Sequence, residues 1–285
     1  MPTKPPSKSP SKTGLKKASL RDRLIVKPGS KVRLADHAPD ETFGFRKDQA
    51  MPKIDADIER LAALQERLWA EHKRRLLIVL QGMDASGKDG VVKHVMTGFH
   101  PLGCRVVGWG VPSEVELAHD YLWRIHQAVP GNGEITIFNR SHYEDVLVVR
   151  VHDFVPEERW SKRYDQINAF EATLAAEGTT ILKFMLHISP EEQLQRFKDR
   201  YDDPTKRWKF KMGDLEERKR WADYMTAYEA ALSRCSTDVA PWFVIPSDKK
   251  WFRDMAIADI VADTLADLDP QYPPMDDLPK NLVMT

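Results

Sequence analysis

Cysteine is nearly absent from this chain: Cys104 and Cys235 are its two thiols in 285 residues, far apart and without a Cys-x-x-Cys partner. That scarcity argues against a disulfide scaffold or a thiolate zinc site, and both residues are expected as reduced thiols in the core. Long apolar runs are missing as well; the longest are strand-sized, far short of the roughly 18 residues that a spanning helix needs. The first residues hold Lys, Pro and Ser instead of an apolar leader core, so a cytoplasmic location with no membrane partner is expected. Net charge is zero, but the balance conceals a division. Residues 1–33 carry ten Lys or Arg against Asp22 alone, whereas the remainder carries 33 basic and 42 acidic residues, a net charge of −9. The basic segment cannot bury enough apolar area to order itself, so residues 1 to about 18 are expected to be disordered, as a solvated tail or as an arm that recruits a polyanion.

What is present suits one large α/β domain, with 42% hydrophobic residues to build its core. The expected organisation is a basic, partly disordered N-terminal arm over residues 1–50, a domain over 51–270, and a C-terminal tail over 271–285. Apolar residues Ile54, Ile58, Leu61, Leu64, Leu68 and Trp69 recur at helical spacing, predicting one amphipathic helix before the first strand. Strands are then predicted at 76–81, 104–110, 135–139, 180–187 and 242–246. Helices are predicted at 88–98, 114–127, 141–151, 157–177, 190–200, 214–233 and 250–267. That alternation predicts a parallel sheet with helices on both faces. Ser113 with Glu116, and Ser189 with Glu192 behind Pro190, match the pattern of helix starts.

Between the first strand and its helix lies Gly82-Met83-Asp84-Ala85-Ser86-Gly87-Lys88-Asp89, a phosphate-binding loop. The glycines let backbone N–H groups curl round a phosphate, Lys88 reaches further oxygens, and the helix N-terminus adds positive potential. Position 89 is Asp where a hydroxyl usually follows the lysine, and Asp84 adds a second carboxylate. Two carboxylates beside phosphate repel it unless Mg²⁺, with Mn²⁺ as a substitute, sits between them. Phosphoryl chemistry is the expectation, with Asp84 and Lys88 catalytic and Gly82, Ala85, Ser86, Gly87 and Asp89 binding phosphate.

Asn139-Arg140-Ser141-His142-Tyr143-Glu144-Asp145 follows the third strand and so emerges at the carboxyl end of the sheet, where open α/β sheets bind ligands. Arg140 can clamp a phosphate, Asp145 joins it among the catalytic candidates, and Glu144 and Asp145 join Asp84 as metal candidates. Asn139 and Glu144 are candidates for nucleotide contact. Ser141 can instead be a helix cap whose box Glu144 closes, and His142 reads as a packing or hydrogen-bonding residue. A third cluster, Arg200 to Gly213, interleaves cations with Trp208 and Phe210. Arg196, Arg200, Lys206 and Lys209 are expected to close over phosphates as a lid at about 196–220 and to exclude water. Trp208, Trp221 and Tyr224 are expected to be packing residues.

From the Phe43 region to about Leu265 the chain resembles the polyphosphate kinase 2 family, on Gly-Met-Asp-Ala-Ser-Gly-Lys-Asp-Gly at 82–90, Asn-Arg-Ser-His-Tyr-Glu-Asp at 139–145 and Asp-Asp-Pro-Thr-Lys-Arg-Trp-Lys at 202–209. The resemblance implies a thymidylate-kinase-like three-layer αβα P-loop kinase fold with a helical lid. It also implies Mg²⁺-dependent transfer between inorganic polyphosphate and nucleotides. Family members devoted to nucleoside diphosphates typically carry Asp-Arg-Ser-Trp-Tyr-Asn-Arg in the second motif. This chain looks like the subgroup that accepts both mono- and diphosphates, AMP and ADP foremost and GMP or GDP besides. Self-association into a homo-oligomer is implied by the resemblance, and no nucleic-acid partner is expected. Two other readings stand beside it: an ATP-dependent nucleoside monophosphate kinase of thymidylate-kinase type, and a non-catalytic polyanion-binding protein.

Overall fold

The computed structural model describes residues 19–274; the expected disorder of residues 1 to 18 and all of the tail after 274 lie outside them. In chain order the elements are α1 (Leu20–Leu24), α2 (Lys47–Glu71), β1 (Arg75–Gln81), α3 (Lys88–His94), β2 (Cys104–Gly108), α4 (Glu114–Leu117), α5 (Trp123–His126), β3 (Ile135–Asn139), α6 (Val148–Val151), α7 (Glu157–Ala176), β4 (Thr179–His187), α8 (Pro190–Asp202), α9 (Met212–Lys219), α10 (Trp221–Cys235), β5 (Trp242–Pro246) and α11 (Lys250–Leu268). All five predicted strands are present, and every pairing in the order β2-β3-β1-β4-β5 is parallel.

The sheet separates two apolar layers because successive strand side chains alternate faces. Leu76, Ile78 and Leu80 of β1 pack with α2, α3 and α11, while Leu77 and Val79 pack with α7 and α10. Most strand residues are fully buried, as expected of a sheet covered on both sides. The result is the expected α/β fold of three layers. The chain visits β2 and β3 on one side of β1, then β4 and β5 on the other. A crevice therefore opens beyond the carboxyl end of β1, where the phosphate-binding loop begins.

Several boundaries differ from the sequence reading. Helix α2 starts at Lys47, so the boundary expected at residue 50 falls inside its first turn. The helix predicted at 114–127 is two single turns, because the Asp120 carboxylate accepts from Leu122 N at 2.9 Å and competes with helical bonding. The one predicted at 141–151 is a 3₁₀ turn, His142–Val146, followed by α6. A break at Arg220 (φ −93°, ψ 20°) divides the predicted 214–233 helix into α9 and α10.

The described part of the N-terminal arm is laid over the domain. Leu20 and Leu24 enter one apolar layer and Val26, Val32 and Leu34 the other. Ile25 forms an antiparallel bridge with Phe243 of β5, and Val26 N donates to Trp242 O at 2.8 Å. Both cysteines are free thiols; Cys235 is buried and Cys104 half-buried, and burial pushes each up to about 12. Among the described residues no helix is long and apolar enough to cross a membrane.

Candidate active site

The loop after β1 is held from behind by two arginines. Gly87 stands at φ +111°, and a Cβ there would come within 1.8 Å of Arg253 Nη1, so both the backbone and the space require glycine. Arg196 is buried and spends its donors on acceptors around the loop. Its Nη1 donates to Ala85 O (2.9 Å) and Ser86 O (3.1 Å), its Nη2 to Ser247 O (2.6 Å) and Asp248 O (3.1 Å), and its Nε to Glu192 Oε1 (2.8 Å). A carbonyl and the N–H that follows it point opposite ways across a trans peptide, so fixing Ser86 O turns Gly87 N–H away from Arg196. Arg196 was expected in the lid. Its head group instead braces the phosphate loop, because buried carbonyls need donors.

Lys88 opens α3 and is buried. Its Nζ donates to Gly82 O at 2.5 Å and Met83 O at 3.2 Å, so the loop satisfies its own lysine. Burial, helped by Arg140, pushes its pKa down to about 8, although Asp84, Glu144 and Asp89 pull the other way. Ser86 Oγ is buried and has no protein partner.

The second motif meets this loop edge to edge. Arg140 N donates to Leu80 O at 3.0 Å, and Arg140 itself adopts φ +66°, a left-handed conformation unusual for a residue other than glycine. Its Nη2 lies 2.8 Å from Asp84 Oδ1 and its Nη1 3.7 Å from Glu144 Oε2. Asn139 Nδ2 donates to Asp89 Oδ1 at 2.7 Å. Ser141 does cap the following turn, accepting from Tyr143 N at 3.2 Å, but Glu144 faces Arg140 and leaves the box unclosed.

Asp145 stands apart from this group. Adjacent residues of a 3₁₀ turn are about 120° apart, so it faces away from Glu144. Its carboxylate accepts from Arg163 Nη1 of α7 at 2.8 Å and lines neither of the two large cavities described below. Burial pushes its pKa up to about 6 against the pull of Arg163. The arrangement makes Asp145 an anchor between the motif and α7.

Two large cavities flank the phosphate loop. One, of about 900 Å³, is lined by Asp84, Lys88, Asp89, Asn139 and Arg140 on the sheet side and by Lys206, Trp208 and Lys209 on the lid. The other, of about 780 Å³, lies toward α2 and α11 and is lined by Arg196, Lys250 and Arg253 among others. Ala85, Gly87, Arg200 and Lys206 border both. Gly82 and Glu144 border a small pocket of about 30 Å³ with Tyr224 and Tyr228. Lys206 pairs with Asp203 at 2.6 Å on the lid surface. Trp208, expected to pack, is 75% exposed, because the lid turn that carries it stands off the domain.

The polyphosphate kinase 2 family matches residues 45–273 of the chain. The chain belongs to that family. The AMP/ADP-polyphosphate phosphotransferase of Meiothermus ruber is 53% identical over 250 residues, which span 87% of this chain and 94% of that protein. The ADP-polyphosphate phosphotransferase of Rhodopseudomonas palustris is 45% identical, over 82% of this chain and 85% of the relative. Among solved structures, polyphosphate kinase 2 from Arthrobacter aurescens TC1 superposes with a TM-score of 0.87 at 42% identity, over 91% of this chain and 93% of the other.

Some residues of this polyphosphate kinase 2 member escape a reading by motif. Lys93, Trp109 and Asp214 line the larger cavity, yet each lies in an ordinary amphipathic or loop context. Behind the second motif is a buried polar network. Glu171 Oε1 takes His142 Nε2 at 3.1 Å and Tyr143 Oη at 3.0 Å, while Lys183 Nζ lies 2.5 Å from Glu171 Oε2. His142 therefore has the hydrogen-bonding role expected of it. Its partner Glu171 comes from α7 and is held in turn by Lys183 of β4, a connection that no local pattern reveals.

Proposed function

We propose that this polyphosphate kinase transfers the terminal phosphoryl group of inorganic polyphosphate to a nucleoside mono- or diphosphate, AMP and ADP among them, reversibly. The observation that carries the reading is one cavity in which Lys88 of the phosphate loop, Arg140 of the second motif and Lys206 and Lys209 of the lid converge. The naming of the Meiothermus ruber relative for both AMP and ADP supports the choice of acceptors.

A nucleotide phosphate oxygen attacks the terminal phosphorus; the bridging P–O bond breaks, and the shortened polymer leaves with the electron pair. The acceptor oxygen is already anionic near neutral pH, so no strong general base is required. Lys88 and Arg140 supply fixed positive charge where it develops on the transferred group. The lid cations cover the phosphates and hold water off, which favours transfer over hydrolysis.

The donor set fits Mg²⁺. Asp84 offers a hard carboxylate oxygen at the cavity and Glu144 a second one near the same guanidinium, leaving room for phosphate and water ligands. No group of three or more His, Cys, Asp or Glu able to hold a metal occurs among the described residues, so substrate oxygens and water would have to complete the ion's shell. When bound, Mg²⁺ neutralises phosphate oxygens and lets carboxylates sit beside them. Self-association is part of the proposal, and sedimentation of the purified protein measures it.

The deciding assay incubates the protein with long-chain polyphosphate, Mg²⁺ and either AMP or ADP, following ADP and ATP over time. ATP from ADP and ADP from AMP are expected. Formation of neither, in conditions where the protein is folded, overturns the reading.

A further inference from the structure

Trp208 is the large apolar side chain that the lid presents to the cavity, and it is 75% exposed there. The ring is nonetheless oriented. Its Nε1 donates to Thr205 O at 3.1 Å, and Lys209 Nζ stands 5.0 Å from the ring centroid. Another wall of the same cavity is Trp109, fixed by the Arg124 guanidinium at 5.2 Å and by an edge contact with Phe138 at 5.4 Å.

An inorganic phosphate chain has only oxygens to offer, and cations and N–H groups suffice for it. An exposed, pre-oriented indole in a cavity where cations outnumber carboxylates is matched by a ligand that carries both phosphate and a flat ring. We infer that Trp208 stacks on the base of the acceptor nucleotide, so that one lid turn covers the base with its indole and the phosphates with Lys206 and Lys209. The inference rests on the proposed function and names the group that positions its acceptor. Every base has a π-face, so this contact adds affinity with little base discrimination, and purines gain more from it than pyrimidines.

The test compares full-length wild type, Trp208→Ala and Trp208→Phe. Because the side chain is exposed, the variants should melt with the wild type. In Trp208→Ala the KM for AMP should rise roughly 5- to 150-fold, the range that base stacking spans. The phenylalanine variant should recover most of that loss, and the KM for polyphosphate should stay within about twofold. Calorimetric titration of AMP without polyphosphate should weaken by the same factor in Trp208→Ala, and it reads the stacking contact independently of turnover. Unchanged AMP affinity, or equal loss for AMP and polyphosphate, overturns the inference. Failure of the wild type to use polyphosphate strikes the proposed function and leaves the titration to judge Trp208 alone.

Discussion

Arg140 Nη2 lies 2.8 Å from Asp84 Oδ1 across an i-to-j separation of 56 residues, so the phosphate loop and the second motif are joined by an ion pair at the mouth of the cavity. The guanidinium sits between Asp84 and Glu144 and is the charge around which both carboxylates are arranged. Removing it should cost activity out of proportion to stability. Arg140→Ala is expected to lower kcat/KM by about 10²- to 10³-fold, as loss of one fixed transition-state cation does. Because Arg140 has φ +66°, Arg140→Gly should be equally inactive yet more stable than the alanine variant by about 1 kcal/mol in urea unfolding. Equal stability of the two would show that the backbone there is unstrained.

Arg196 and Lys209 should separate a brace from a lid cation. Arg196→Met leaves several buried carbonyls without donors, so a loss of about 3–5 kcal/mol is expected together with activity. Lys209 is exposed on the lid, so Lys209→Ala should leave the melting temperature in place and raise the KM for polyphosphate. Thermal melts beside steady-state kinetics decide the matter; a Lys209 variant that loses stability would assign it to the scaffold.

Lys88 should make phosphate binding take up protons. Its pKa in the folded, ligand-free protein is about 8, below the ordinary 10.5, because burial disfavours the charge. Between those values the unfolded chain holds the proton more than the folded one, so the stability contribution of this group rises as pH rises from about 8 towards 10.5. Below pH 8 the full penalty of burying the charge is present. A polyanion placed against Nζ restores the charged form, so near pH 8.5 calorimetry in buffers of different ionisation enthalpy should record net proton uptake. Absence of uptake in the wild type, or its persistence in Lys88→Met, would contradict this account.

Gly87 and Gly90 both face Arg253 but are not equivalent. A Cβ at Gly87 would stand 1.8 Å from Arg253 Nη1 at φ +111°, whereas one at Gly90 would stand 2.9 Å from Nη2 on a helical backbone. Gly87→Ala should therefore be the more destabilising change, and Arg253→Ala should relieve only part of it, since the strained φ remains. Full recovery in the double variant, measured by chemical unfolding, would place the entire cost in the steric clash.

The parts legible in the sequence were those with a local physical signature. Strand β1, the Gly-rich turn and Lys88 occur within 14 residues, and such a run is the local pattern of a phosphate-binding loop. Alternating strands and helices made the parallel sheet readable for the same reason. The lengths of helices 114–127 and 141–151 were misread because one side chain, Asp120, and one 3₁₀ turn outweighed a helical pattern.

Sequence by itself thus determined the succession of strands and helices along the chain, the Gly-rich loop after β1, the conjunction of three motifs and the family. Only the tertiary structure decided that Arg196 braces the loop, that Asp145 turns from Glu144 toward Arg163, and that Trp208 stays bare on the lid. The division follows from range: hydrophobic period and turn chemistry act over a few residues, whereas the partner of a charge is whichever group the packed chain brings within about 3 Å.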